Sequence, residues 1–542
     1  MPETINHKSF GLWKSPLTPK RMSGSLRFSD LGWDEAGNLV WSESRLGRDT
    51  LVVQPSDGQA PRDINNDYTV RAGVGYGGGD FSVSAGQVFF VDAETGGLFR
   101  QSLNQGQARA VTPAFGACAA PVLSPDENWL LYVHSYQNID CLALTDVEGK
   151  FWPQRIVSGR DFYMQPVWRP NPSGGSLWIA WVQWSHPNMP WDGTELCMGR
   201  LETAEESLPV LAETRVVAGD VHTSIFQPEF SPDGKYLAYV SDISGWWQLY
   251  LYDLETGKTI QLTSASAEHA VPAWNQGQRT YQFAPDGENI YCLRNQAGRV
   301  TLWQIEIATV TERQVILDVS YGSLEQIAIR RGHDHPLEIA LIASDDRIPP
   351  RIILCRPEQG ITRVIRRSAA EDLPIETYSL SRPVQWTGMD GGVVYGLFYP
   401  PQNPGFRGNG LPPLIVKIHG GPTSQQRATF IPDDQFFTSR GYAVLEVNYR
   451  GSTGYGRAYA QALRANWGIF DVQDAVSGVN ALVELGLVDR DKVIIKGGSS
   501  GGYTVLKALI DFPGFFKAGI CLYGISNHFA ISAETHKFEA HY

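Results

Sequence analysis

A chain of 542 residues with 42% hydrophobic and 19% charged side chains has the composition of folded domains, and its length allows two or three of them. A net charge of −12 and a pI near 5.5 argue against nucleic acid or anionic membrane as the main partner. The six cysteines, at 118, 141, 197, 292, 355 and 521, lack CxxC or metal-ligand spacing and read as scattered core thiols of a reducing compartment. The first residues hold no apolar signal core, and no run of 18 apolar residues occurs, so the expectation is a cytoplasmic chain without a membrane span.

Residues 1–30 read as a leading segment that packs on one of the domains behind it. From 31 to 370 one theme recurs: a turn with Asp or Asn and Gly, an alternating apolar strand, a polar turn and another strand. The recurrences fall near Trp33, Phe81, Leu123, Trp168, Phe230, Phe283 and Ile327, mostly at the ~40–50-residue period of propeller blades. In Ser231-Pro232-Asp233-Gly234, Pro presets φ, Asp caps its own backbone and Gly takes positive φ. Seven recurrences predict a seven-bladed β-propeller, with a β-sandwich as the alternative. The longer step from Trp168 to Phe230 predicts a loop insertion, and residues 184–196, with two prolines and two tryptophans, stand out within it. His186 and Asp192 are the residues there that could face a cavity.

Residues 371–542 change character. Residues 375–399 read as strands around an Asp390-Gly391-Gly392 turn, and a Pro/Gly-rich connector follows. Then comes the β–α alternation of a parallel sheet, with strands at 414–418, 443–447, 493–495 and 518–522. The helix at 471–485 carries Val472, Ala475, Val476, Val479, Leu482 and Val483 on one face, with Asp471 as N-cap and Gly486 as its stop.

The strand at 493–495 runs into Gly497-Gly498-Ser499-Ser500-Gly501-Gly502 and then a helix. Gly-x-Ser-x-Gly between a strand and a helix is the nucleophile elbow of α/β-hydrolases. It holds a serine in a strained turn at the sheet's carboxyl edge, beside a helix N-terminus that favours negative charge. Both Ser499 and Ser500 satisfy the spacing. The strand at 414–418 ends in His419-Gly420-Gly421-Pro422, the place where this fold supplies one backbone N–H of an oxyanion hole. His419 precedes the serine, so the fold's Ser–acid–His order makes it a loop residue and not the base.

As a set these motifs resemble the prolyl oligopeptidase family of serine peptidases, in its bacterial dipeptidyl-peptidase and acylaminoacyl-peptidase-like branch. The resemblance rests on residues 12–18, 186–196, 224–234, 419–423, 448–452, 466–468 with Asp471 and Asp474, and 497–503. It implies a seven-bladed propeller capping an α/β-hydrolase domain and hydrolysis of short unstructured peptides. It also implies neither metal nor organic cofactor. The family pattern puts the nucleophile at the first serine, Ser499, with oxyanion donors at the N–H groups of Ser500 and Gly421. Nucleic acid and membrane are not expected partners, and an oligomer is compatible with the sequence.

Only 43 residues follow Ser499, and each further β–α unit needs about 30. The family's acid and histidine follow later strands, so the sequence resembles a C-terminally truncated member, with the last strands of its sheet missing. Asp511, His528, Glu534, His536, Glu539 and His541 are the titratable residues of the tail, each expected to be a solvated side chain. A serine without its base retains only residual catalysis, so the expectation is no useful peptidase activity from these 542 residues alone. An esterase and a catalytically silent binding propeller are the alternatives.

Overall fold

The recurring turn joins the first and second strands of most blades. In the fifth repeat Ser231 Oγ donates to Asp233 Oδ1 at 2.7 Å and accepts the Tyr236 N–H at 2.9 Å. Gly234 takes φ +70°. Five of the seven sequence landmarks (Trp33, Leu123, Trp168, Phe230 and Phe283) are the last residues of such first strands; Phe81 begins its strand and Ile327 lies within its own. The computed structural model describes residues 5–542 apart from 66, 105, 172–174, 204–206, 333–334, 528 and 530–534.

Among the described residues seven four-stranded antiparallel sheets follow one another, at 27–63, 81–110, 117–157, 162–219, 225–261, 281–314 and 323–367. The expected seven-bladed propeller is present. Its first strand opens at Arg27, ahead of the boundary expected at 31, because a register shift between Phe28 and Asp30 breaks the alternation that marks a strand. Neighbouring blades bury continuous apolar layers: Phe162, Trp184, Leu196, Phe226, Tyr239 and Tyr281 share one cluster. Around the axis, side-chain amides stitch inner strands together. Gln165 Oε1 accepts the Gln227 N–H, and Gln227 Oε1 accepts the Thr280 N–H, both at 2.7 Å. The first and last blades meet through Trp33 Nε1 on the Ala328 carbonyl and through Arg366 on Glu43. The extra length of the fourth repeat lies partly in the loop after the strand Leu177–Trp184 and partly in its ten-residue outer strand, Val210–Gly219.

The leading segment packs mainly on the second domain and reaches the propeller at its end, where the Leu26 N–H bonds the Ser368 carbonyl behind the last blade. Asn6–His7 pairs in parallel with Phe406–Arg407, and Ser15 Oγ lies 2.7 Å from Ser439 Oγ. The second domain holds a six-stranded sheet made of β1 (Arg382–Thr387), β2 (Val393–Tyr399), β3 (Leu414–Ile418), β4 (Ala443–Asn448), β5 (Val493–Gly498) and β6 (Ala518–Leu522). Its order is β1-β2-β4-β3-β5-β6, with β4, β3, β5 and β6 parallel. Residues 375–377 form a short 3-10 turn instead of the expected strand start. Helices α1 (Pro432–Thr438), α2 (Phe470–Glu484) and α3 (Ser500–Asp511) cover the sheet.

The apolar stripe of α2 is core as expected, with Val472, Ala475, Val476, Val479 and Leu482 buried, and Gly486 supplies the positive-φ stop at +66°. Asp471 is not its N-cap. It sits inside the first turn, where Oδ1 accepts the Gly468 N–H at 2.7 Å and Oδ2 accepts the Thr504 hydroxyl of α3. Cys521 departs from the expected core set, because β6 is an edge strand whose five residues are exposed; the other five cysteines are buried.

Candidate active site

β5 delivers the chain to Ser499 with no slack. A Cβ on Gly497 would lie 2.4 Å from the Gly501 carbonyl oxygen, and one on Gly501 would lie 2.4 Å from the Ile418 carbonyl oxygen. Side chains on Gly498 or Gly502 would strike Tyr523 or Gly524. The helix is thereby pressed onto the end of β3. Ser499 takes φ +54° and ψ −123°, a region that costs a residue with a side chain about 1–3 kcal/mol. Hydrogen bonds on both sides hold it there. Its N–H donates to Leu522 of β6, and its carbonyl accepts from Gly502 and Tyr503 of α3 and from Ile525. Ser499 is exposed, whereas Ser500 is the first residue of α3 and is buried.

The loop after β3 lies against this elbow. A Cβ on Gly420 would come within 3.4 Å of Ser499 Cβ and 3.1 Å of the Gly498 carbonyl oxygen, so any side chain there would crowd the elbow. Gly421 follows at φ +124°, and its N–H makes no hydrogen bond among the described residues. His419 is fixed and inert. Its Nε2 lies 2.8 Å from Ser452 Oγ and its Nδ1 lies 2.9 Å from the Gly420 carbonyl oxygen. Its ring stacks on Tyr449 at 4.4 Å. Burial pushes the imidazole down to about 4, so it is neutral at pH 7 and holds the loop.

The described titratable tail residues meet partners other than Ser499. Asp511 closes α3 and pairs with Lys507, eleven helical residues and about 16 Å from the elbow. Glu539 accepts from Thr535 and Tyr76, and His536 packs edge-on against Tyr76. His541 lies 4.4 Å from the ring of His186. His528 and Glu534 lie outside the described residues. Among the described residues no side chain hydrogen-bonds Ser499 Oγ, and the site holds the serine and N–H donors without a proton acceptor. Asp511, His536 and His541 are exposed as expected and Glu539 is half-buried, but the tail is anchored between them: Phe538 is buried among Phe162, Trp184 and Trp274, and the Tyr542 hydroxyl meets Thr423.

Beside the loop lies a cavity of about 420 Å³ between the domains, lined among others by Trp191, Asp192, Thr423, Arg457, Trp467 and Tyr542. Asp192 faces it, as the sequence allowed; His186 does not line it. Its charges are neutralised in pairs, Asp242 with Arg457 and Asp192 with Arg464. Glu268 accepts the N–H groups of Trp247 and Gly456, both at 2.9 Å, and burial pushes its carboxyl up to about 7. A second cavity, about 660 Å³, runs along the propeller axis beneath Gln425 and Arg427. Sequence reasoning missed Trp274 and Glu268, which carry no motif; Tyr449 and Ser452 lie in the 448–452 motif, but their grip on His419 was not foreseen.

Comparison with known proteins places the C-terminal part of this geometry in a family. Residues 429–542 match the model of the prolyl oligopeptidase family. Dipeptidyl aminopeptidase BIII of Pseudoxanthomonas mexicana is 38% identical over 115 residues, 21% of this chain and 17% of its own length. The peptidase YuxL of Bacillus subtilis is 27% identical over 292 residues, 51% of this chain and 42% of its own. The matched stretches therefore span less than half of these curated relatives. A puromycin-hydrolyzing peptidase of Mycobacterium tuberculosis superposes with a TM-score of 0.89 at 29% identity, covering 99% of this chain and 83% of that one. A puromycin hydrolase structure matches with a TM-score of 0.89 at 28% identity, over 99% and 84% of the two chains. The chain carries a prolyl oligopeptidase family domain behind a seven-bladed propeller, the architecture of the family's peptidases.

Proposed function

We propose that the protein is a serine-type peptidase for short, unstructured peptides, of the dipeptidyl- or acylaminoacyl-peptidase kind, acting through an acyl-enzyme on Ser499. The observation that carries the reading is the strained, exposed Ser499 standing against Gly420 at the sheet's carboxyl edge. In this reading Ser499 Oγ attacks the carbonyl carbon, its proton passing by way of solvent water to the nitrogen of the departing amine as the scissile C–N bond breaks. The carbonyl oxygen takes the developing charge and is met by the N–H groups of Gly421 and Ser500, aided by the N-terminus of α3. Gly497, Gly498, Gly501 and Gly502 permit the turn. In this reading the two cavities beneath the propeller, about 420 and 660 Å³, take a short extended peptide and are too small for a folded one. The peptidase names of the relatives support the class, and a cytoplasmic location fits six unpaired thiols. The reading calls for no cofactor.

Intact-mass analysis of the folded 542-residue protein after prolonged treatment with a fluorophosphonate tests it. One adduct, mapped to Ser499 and absent from Ser499→Ala, is expected to form slowly. No adduct, or an adduct elsewhere, refutes the nucleophile. A second reading, a propeller that binds peptides without cleaving them, is favoured by the lack of a described imidazole at Ser499. Peptide binding by Ser499→Ala with no adduct in the parent chain would select it.

A further inference from the structure

The loop that carries Gly421 is anchored at both ends, and the two anchors come from different parts of the chain. Upstream, His419 is held inside the α/β domain by Ser452 and Tyr449. Downstream, Thr423 is held by the propeller and by the segment after 534. Trp274, in the connection between the fifth and sixth blades, donates Nε1 to the Thr423 carbonyl at 2.8 Å. The Tyr542 hydroxyl accepts the Thr423 N–H at 2.7 Å and donates to Thr423 Oγ1 at 2.8 Å. The two grips are one unit, since the Tyr542 and Trp274 rings meet edge to face at 5.4 Å and both contact Trp191. Every main-chain polar group of Thr423 is thus bonded outside the loop's own domain core. Gly421 is two residues away, and Gly420 and Gly421 have no side chains to fix them locally.

We infer that Trp274, with Tyr542 as its partner, is a positioning residue for the Gly421 N–H, so that docking of the propeller sets the geometry of the oxyanion donor. The inference rests on the reading of Gly421 as that donor. Its physical basis is the steep dependence of such a donor on placement: an error near 1 Å costs about a hundredfold in rate. Losing the Trp274 hydrogen bond lets Thr423, and with it Gly421, drift from Ser499. Trp274 touches neither Ser499 nor any reacting atom, so its effect falls on the rate of acylation and not on the affinity of the first encounter.

The variant Trp274→Phe removes the N–H and keeps an aromatic ring among Tyr76, Trp191 and Tyr542. Two readouts apply to the full 542-residue chain. Hydrogen exchange of peptides spanning 419–425 is expected to accelerate in Trp274→Phe, and likewise in Tyr542→Phe, while exchange in the propeller blades and in α2 is unchanged. The saturating rate of fluorophosphonate labelling of Ser499 is expected to fall roughly tenfold to a hundredfold with the half-saturating concentration unchanged. Unchanged exchange over 419–425 in both variants overturns the inference, whatever the labelling does. Exchange that rises equally across the molecule assigns the tryptophan a general packing role and also overturns it. If the parent chain takes no label at all, the reading of Ser499 fails, and the exchange experiment alone decides whether Trp274 holds the loop.

Discussion

Lys417→Met tests the charge balance on which the central sheet is built. Lys417 lies on β3 beside Glu446 of β4 and above Asp434 of α1, with Nζ 2.5 Å from Asp434 Oδ1 and 3.1 Å from Glu446 Oε1. Both carboxyls are fully buried. Glu446 is pushed well up by burial and by the Asp434 charge beside it, and burial raises Asp434 as well, so Lys417 is the cation against which both buried carboxyls are set, with Asp433 3.8 Å away. Removing the ammonium leaves the Asp434 carboxylate without its counter-charge in the interior, a loss worth about 3–5 kcal/mol. The native state of the variant can escape by protonating Asp434. At pH 8 that costs about 5.6 kcal/mol against an unfolded-state value near 3.9, and at pH 5 about 1.5. The sign follows from the raised native value: stability present at low pH is lost as pH rises, by about 1.4 kcal/mol per unit beyond the parent's own slope, until the cost of protonation reaches the penalty of about 3–5 kcal/mol itself at about pH 6–7.5, above which the loss levels off. Urea melts of both proteins at pH 5, 6.5 and 8, read together with exchange in peptides from β3 and β4, measure it. A destabilisation that is the same at all three values would refute the argument, because it would mean that no proton is taken up.

Three further outcomes follow from other sites. Gly497→Ala is expected to destabilise the α/β domain by about 3 kcal/mol, the upper end for overpacking, because its Cβ meets backbone atoms of both Gly501 and Ile418; Gly514→Ala, at φ +78° in open space, should cost only about 1 kcal/mol, and equal losses in urea melts would refute the contrast. His419, held near 4 by burial against about 6.5 unfolded, stays neutral while the unfolded chain takes a proton, so stability falls as pH drops from 6.5 to 4, by about 3 kcal/mol in total. His419→Gln should flatten the stability-versus-pH curve by that amount, and an unchanged curve would show that the ring titrates freely. Arg450 forks onto Asp474, with Nη2 at 2.7 Å from Oδ1, and its backbone N–H bonds the same carboxylate; Arg450→Ala should cost about 3–5 kcal/mol by stranding the buried Asp474, with Arg450→Lys recovering only part of it.

What the sequence made legible was local. A blade is announced by a turn whose Ser, Pro, Asp and Gly act within six residues, and the elbow by glycines whose neighbours in space are nearly neighbours in sequence. The errors were local signals overruled by distant ones. Asp471 has the chemistry of an N-cap, yet Thr504 of α3 and Gly468 draw its carboxylate into the domain core. Trp274 carries no motif at all; its partner Thr423 is 149 residues away, and the Glu268 partner Gly456 is 188 away. No periodicity or spacing rule reaches such pairs, because they depend on how two domains meet.

Where the domains meet is not arbitrary. In a parallel sheet the loops that can carry chemistry leave the carboxyl ends of the strands, and here the propeller grips those same loops. After β3 it holds Thr423 through Trp274, Gln425 through Asn295, Arg427 through Glu325 and Ala428 through Gly298. After β4 it holds Gly456 through Glu268 and Arg457 through Asp242. Behind the sheet edge, the buried Asp346 of the last blade accepts from Ser381 and Tyr399 at its carboxylate and from Gln435 Nε2 at its backbone carbonyl, a further bond between the domains. A propeller acting only as a sieve would need contacts at the rim. One that bonds the backbone of the loop carrying Gly421 ties that loop to docking: if Gly421 and Ser499 act as proposed, a motion that opened the seam would break the Trp274 bond to Thr423 and the Glu268 bond to Gly456 together.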